Sequence, residues 1–493
     1  LFLIFFNIIL INSILAGHPE TKGLSYITGE NLFKTVEYLA SKELNGRSPG
    51  SNEFEKAALF ISDNFHKINL KPYGNKSYYQ KFNVEYNEIL SPCKLNITED
   101  GKVAEEFKLG KDFVCRVFTG SGTFTAQVAF CGYGISMPGI YDDYKKADVK
   151  GKIALVFKPN PSWKIKNKEW TPVYERTKAS VAKAHGAIGI FYVSLPLSAG
   201  NETLTGSSLH GEGIQDTTFP QLHISVNAAD KFIQQSGYSL KHLQHYIDSM
   251  HIPFSMWGYS NANVEVHTKY YKEKSTENII GIIEGSDKTL KDEYIVVGAH
   301  LDHVGGQAGE IYFPGANDNA SGSATVLEIA RAFKKAGIKP KRSIAFVLFT
   351  SEEQGMLGSN YFINNFNIKH DKIVAMLNID CVGHGDSLRV RSGKISPELW
   401  KIAKNNDSKY TNIMIGTTTD EVGADAGPFL KNDIPSLSFV TTNSYEFLHA
   451  IGDTPSTINR TLHEKVTKLA FLITQSVANG EYSKEIIPDK FKK

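Results

Sequence analysis

The apolar runs NIIGIIEG, YIVVGAH, SIAFVLFTS, IVAMLNID and SLSFVTT, spread between Asn278 and Thr442, constrain this chain more than any other feature. Each is nearly continuous rather than alternating, which is the pattern of strands covered on both faces. Polar turns and amphipathic stretches separate them, a grammar that builds an α/β fold with a mixed, largely parallel central sheet flanked by helices. The helix expected after Asp318 places Val326, Ile329, Ala330 and Phe333 on one face and stops near Gly337, ahead of Pro340.

Upstream, Leu32 to Phe65 shows helical spacing in two stretches, joined by the turn-rich segment LNGRSPGSNEFE, which reads as a surface loop between packed helices. From about Asn83 to Cys131 the pattern changes to short β-branched runs. Between Thr123 and Ser260 the runs AQVAFCGYG, GKIALVFKP, AIGIFYVS and PQLHISV form a separate, smaller β-rich unit. That unit contains no cluster of His, Asp and Glu at ligand spacing; His185, His210 and His223 read as ordinary histidines, and the unit is expected to modulate access without doing chemistry.

With 54 basic and 52 acidic residues the chain has a formal charge of +2, no field for gathering nucleic acid or an anionic membrane. The first 17 residues, LFLIFFNIILINSILAG, form an apolar run with small residues at its end, the pattern of a signal peptide. Asn7, Asn12 and Ser13 interrupt it, and a membrane anchor needs about 20 apolar residues, so export to a secreted or periplasmic location is expected rather than anchoring. Four cysteines are too few for a disulfide framework, and no CxxC pair offers a structural metal site. Cys93, Cys115 and Cys131 can supply one disulfide in an oxidising compartment, with the pairing open; Cys381 reads as a buried thiol. Sequons at Asn75, Asn96, Asn201, Asn406 and Asn459 matter only if the source glycosylates, and Asn319, which also fits the pattern, lies inside the candidate site.

Every candidate ligand sits where a strand passes into a loop. His300 ends YIVVGAH, Glu352 and Glu353 follow SIAFVLFTS, Asp380 ends IVAMLNID, and His449 follows SLSFVTTNSYEF. In open α/β sheets the crevice beyond the carboxyl ends of the strands is where ligands bind, so these residues should converge. A lone strand-end acid or histidine is more often a cap or surface group; six at successive strand ends point to metal. The chemistry they fit is hydrolysis at a pair of metals about 3.5–4 Å apart. Asp318 is the expected bridge, with His300 and Asp380 on one metal and Glu353 and His449 on the other. Glu352 remains as general base. Asp302 suits a supporting acceptor for His300, and Asp453 for His449. His303 and His384 are rival ligands.

The strings GAHLDHVGG, GANDNASGSATVLEIAR, SEEQGMLGS, LNIDCVG and LHAIGDTPSTIN together resemble the di-zinc aminopeptidase family that includes bacterial leucyl aminopeptidases and the glutamate carboxypeptidase group. The resemblance implies the zinc exopeptidase fold and two zinc ions per chain, with His300, Asp318, Glu353, Asp380 and His449 as ligands and Glu352 as base. It implies peptide substrates and removal of an N-terminal residue. A glutaminyl cyclase-like transferase and a carboxypeptidase for acidic C-terminal residues are alternatives on the same fold; a non-catalytic binding module would need missing ligands, and none is missing. EYLASKELNGRSPGSNEFEKAALFI resembles the N-terminal segment of secreted members, and YDDYKKADVKGKIALVF their protease-associated insert. On this reading the chain divides into a signal peptide (1–17), the N-terminal part of the peptidase unit (18–122), a protease-associated domain (123–260) and a zinc peptidase domain (276–482), with the oligomeric state open. Phe447 and Leu448 stand where the family often has an Asp-Tyr pair, and Cys381 where it often has Met, differences that bear on the pocket wall.

Overall fold

The computed structural model describes residues 21–491 apart from 74–76, 173, 199–202, 212–214 and 258–259. The expected signal peptide lies outside the described residues. Two long strands, β1 (Tyr79–Glu99) and β2 (Asn261–Ile283), pair antiparallel along most of their length and run through the whole molecule. One end of β2 enters the main sheet, whose remaining strands are β3 (Tyr294–His300), β4 (Ser343–Phe349), β5 (Ile373–Ile379), β6 (Leu388–Arg391) and β7 (Ser436–Thr441). Their order is β6-β7-β5-β3-β4-β2. The four inner strands are mutually parallel and the flanking β6 and β2 antiparallel, so the sheet is mixed and largely parallel.

The unbroken apolar runs are explained by what covers the two faces. Ile295, Val297, Phe346, Leu348, Leu377 and Phe439 point to one side, into a core shared with helices α1 (Gly29–Leu39), α2 (Asn52–Lys67), α3 (Gly322–Lys335) and α6 (Arg460–Ala478). Their neighbours Val296, Val347, Phe349 and Met376 point to the other side, against α4 (Leu357–Asn365) and α5 (Ala426–Lys431). With both faces buried, no strand position favours a polar residue until the strand ends. Helix starts follow their caps: Thr28, Ser51 and Asn459 accept backbone N–H bonds at the heads of α1, α2 and α6.

At its other end β2 joins a second sheet, in which Gly122–Cys131, Ile153–Phe157, Gly189–Val193 and Gln221–Ile224 run parallel and Phe113–Cys115 closes the edge antiparallel. Helices Glu175–Ala184, Val226–Ile233 and Leu240–Met250 accompany it. The core of this unit also takes in Ile89, Cys93, Leu95 and Phe107 from before residue 123, and Ala262, Val264 and Val266 from after residue 260. Among the described residues no helix is long and apolar enough to cross a membrane.

Candidate metal centre

Because β3, β4, β5 and β7 are parallel, their carboxyl ends open on one edge, and the loops leaving that edge carry the acids and histidines. His300 is the last residue of β3, Asp380 follows β5 directly, and Glu352 and Glu353 follow β4. Asp318 comes from the turn Ala316–Ser321 that leads into α3, and His449 from the loop after β7 with φ 54°, the left-handed region.

Asp318 stands between two donor groups. Its Oδ1 lies 3.3 Å from His300 Nε2, which is 3.4 Å from Asp380 Oδ1. Its Oδ2 lies 3.2 Å from His449 Nε2, which is 3.0 Å from Glu353 Oε2. Zinc bonds of about 2.1 Å in tetrahedral geometry separate adjacent ligand atoms by about 3.4 Å, so both donor groups, which have Asp318 in common, have spacings that suit metal ligands. Asp380 Oδ1 is buried with no hydrogen-bond partner, an orphan that a cation would satisfy. His303, a rival ligand from the sequence, is fully buried and sets its Nδ1 3.1 Å from Glu353 Oε1 and 3.7 Å from Asp318 Oδ2. It therefore belongs to the second group, as a ligand candidate or as the group that orients Glu353. His384 lies elsewhere, bound to Thr457 O and Glu446.

The charges of these groups fit a cation site. Burial opposes the imidazolium of His300 and of His449, yet the facing carboxylates hold both rings well above the usual histidine range. Burial likewise opposes ionisation of Asp318 and Glu353, but these imidazoles outweigh it, keeping Asp318 well below its ordinary range and bringing Glu353 down to about 2. A divalent cation among the same atoms would use the ring lone pairs of both histidines and supply the positive charge that the carboxylates favour. Glu352, which lines the same cavity, is held well above the normal carboxylate range by burial, with His300 partly offsetting.

The supporting residues differ from expectation in what they hold. Asp302 was expected to orient His300 through its carboxylate, but His300 Nδ1 meets the Asp302 backbone carbonyl at 3.2 Å and the carboxylate only at 3.8 Å. The carboxylate instead accepts the N–H groups of Glu352 and Glu353, at 3.2 and 3.3 Å, and so anchors the loop bearing both. Asp453 does not reach His449 as expected; it accepts the N–H groups of Asn317 and Asp318, at 2.9 and 3.0 Å, because its chain turns beneath the Asp318 loop. Burial pushes Asp302, Asp453 and the neighbouring Asp425 up to about 7.

Sequence reasoning missed Arg47. The segment LNGRSPG is not a free surface loop: Arg47 is completely buried and donates to five carbonyls, those of Leu39, Leu301, Pro314, Gly315 and Asp318, at 2.6–3.2 Å. Among the described residues no carboxylate pairs with it directly. Burial lowers its pKa to about 10 while Asp318 and Asp453 support its charge. Gly46 (φ 72°) makes the approach possible, since a Cβ there would lie 2.4 Å from Gly305 O. A single arginine in a turn-rich stretch has no periodic signature, so no sequence signal marks it.

The cavity over the acids has a volume of about 270 Å³ and adds Arg391, Tyr445 and Leu448 to its walls. A neighbouring cavity of about 580 Å³ shares Glu352, Glu353 and His449 and brings in Ser208 and His210 from the second unit. Gly206 N–H also donates to the His449 carbonyl at 2.7 Å, so that unit, expected only to modulate access, touches the chain at a candidate ligand.

Residues 278–474 match the sequence profile of peptidase family M28. The chain is 25% identical over 488 residues to aminopeptidase YwaD of Bacillus subtilis, covering 94% of this chain and 87% of that protein. It is 30% identical over 175 residues to a probable leucine aminopeptidase of Trichophyton verrucosum, covering 31% of this chain and 49% of that protein. In structure it is similar to BSAP, a zinc aminopeptidase from Bacillus subtilis, with a TM-score of 0.66 at 20% identity over 94% of this chain and 98% of the other, a likeness of fold. The segment that carries the clustered acids and histidines, residues 278–474, is the one that matches the profile of peptidase family M28.

Proposed function

We propose that this peptidase is an exported di-zinc aminopeptidase that removes the N-terminal residue of peptides. The observation that carries the reading is the division of Asp318 between two donor groups, each at ligand spacing. His300 and Asp380 would hold one zinc and Glu353 and His449 the other, with Asp318 available to both. When bound, zinc supplies Lewis acidity toward the scissile carbonyl and the attacking water. Glu352 takes the proton of that water and delivers it to the leaving amine. The acidic groups at the cavity floor also draw in the free ammonium of the substrate, as fits the two aminopeptidases to which the chain is similar. Asp302 holds the Glu352 backbone so that the base faces the cavity.

The test measures zinc per chain after reconstitution, then turnover of aminoacyl amides with free and blocked N-termini beside C-terminally acidic peptides. Two zinc ions and cleavage confined to free N-termini are expected. One zinc with pyroglutamate as product would make the chain a cyclase, and equal cleavage of blocked substrates would end the aminopeptidase reading.

A further inference from the structure

The second unit contains a thiol pair that the metal centre does not use. Cys93, on β1, and Cys115, at the edge of the second sheet, are both buried, with their sulfurs 3.8 Å apart. Cys131 packs with Ala129, Tyr144 and Ala154 on the opposite face of that sheet, in a different core from the one that holds Cys93 and Cys115. Cys381 follows Asp380 in the other unit, so neither remaining cysteine can reach the pair. Sulfurs so placed need to close by about 1.8 Å to bond, a movement within side-chain rotation.

The pair also lies under a loop of the metal centre. Gln307, buried in the short hairpin between His300 and Asp318, grips the Cys115 backbone at both ends: its Oε1 accepts the N–H at 2.8 Å and its Nε2 donates to the carbonyl at 2.7 Å. One residue on, Ala308 N–H donates to Ile89 O on β1 at 2.9 Å. The hairpin that connects two candidate ligands therefore rests on the two segments that carry the two sulfurs.

We infer that Cys93 and Cys115 form a disulfide in an oxidising compartment, locking the platform on which the His300–Asp318 loop is seated. The step is thiol–disulfide exchange. The Cys93 thiolate attacks a sulfur of an oxidising dithiol–disulfide protein or of glutathione disulfide, and one donor thiolate leaves. The Cys115 thiolate then attacks the Cys93 sulfur of the mixed disulfide and expels the second donor thiolate. The two thiols lose two electrons and two protons, and the donor disulfide gains them as two thiols. The exchange balances equally with Cys115 as the first attacker. Both sulfurs are covered in the folded chain, so the bond forms before the hairpin docks.

The experiment refolds full-length zinc-loaded protein in a glutathione redox buffer, alkylates free thiols without reduction, and maps the digest by mass spectrometry. A Cys93–Cys115 linked peptide with Cys131 and Cys381 alkylated is expected, and the same link should form in a Cys131→Ala/Cys381→Ala variant. Oxidised protein should melt a few degrees above the reduced form, as a cross-link closing a short loop implies, and should release zinc more slowly to a chelator. Recovery of Cys93 and Cys115 as alkylated thiols, or either one linked to Cys131, overturns the assignment. A link without any change in melting or zinc release overturns its role as a lock.

Discussion

Arg47→Met tests whether the metal centre is held from below. The change keeps an apolar stem of similar length and removes the Arg47 donors from five buried carbonyls, of which Gly315 O keeps a second donor in Ala320 N–H. Leaving buried acceptors unsatisfied costs about 1–3 kcal/mol each; at about 1.5 each the other four come to roughly 6 kcal/mol. Against this, the variant no longer buries a guanidinium. Burial is the main cause that lowers the pKa of the Arg47 guanidinium to about 10, which corresponds to roughly 3.4 kcal/mol regained. The net loss is roughly 2.6 kcal/mol, at the upper end of what single substitutions ordinarily cost, and water entering the polar space would reduce it.

Two measurements separate the structural from the functional consequence. Urea unfolding of the metal-free protein should show the midpoint falling with the slope unchanged. Zinc competition in the folded fraction should show affinity weakened about 10- to 100-fold, because three of the five carbonyls lie in the 314–318 segment that presents Asp318. Arg47→Lys offers three donors without the planar fork and should recover part of the stability but little of the zinc affinity. Wild-type stability together with wild-type zinc affinity in Arg47→Met would refute the reasoning, since it would mean that the carbonyls find equal partners without the guanidinium.

Glu352→Gln should retain zinc while kcat falls at least a hundredfold, the loss expected for a general base, read by turnover beside metal content; near-normal turnover would remove Glu352 from that role. Asp453→Asn keeps one acceptor for the N–H groups of Asn317 and Asp318, and should weaken zinc binding about tenfold, measured by chelator competition, with activity restored at high zinc. His463, buried beneath the start of α3 with its Nε2 2.9 Å from Ser321 O, has its pKa lowered by burial from 6.5 to about 4. Between those values the unfolded chain binds the proton and the folded one does not, so stability is full above pH 6.5 and falls as pH drops toward 4, by roughly 3 kcal/mol. The difference in unfolding free energy between wild type and His463→Gln should shrink across that window; a constant difference would show that His463 does not titrate there.

What could be read from residues alone follows a physical division. Continuous apolar runs declare a sheet buried on both faces, and in a parallel sheet the strand ends share one edge; His300, Glu353 and Asp380 meet for that reason, and their convergence needs no knowledge of loop geometry. The supporting residues obey no such rule. Asp302 and Asp453 act on backbone N–H groups rather than on the histidines that sequence proximity suggested, because a carboxylate a few residues from a ligand can turn under a neighbouring loop as readily as toward a side chain. Arg47 contacts carbonyls up to 271 positions away, and a backbone acceptor carries no residue identity for a sequence to display. Ligands are written in side-chain chemistry and are legible; the scaffold that aims them is written largely in main-chain hydrogen bonds. The residues most easily overlooked in such a site are therefore buried cations and acids with no partner of opposite charge, and a chain of this type should be searched for an arginine that the charge pattern leaves unexplained.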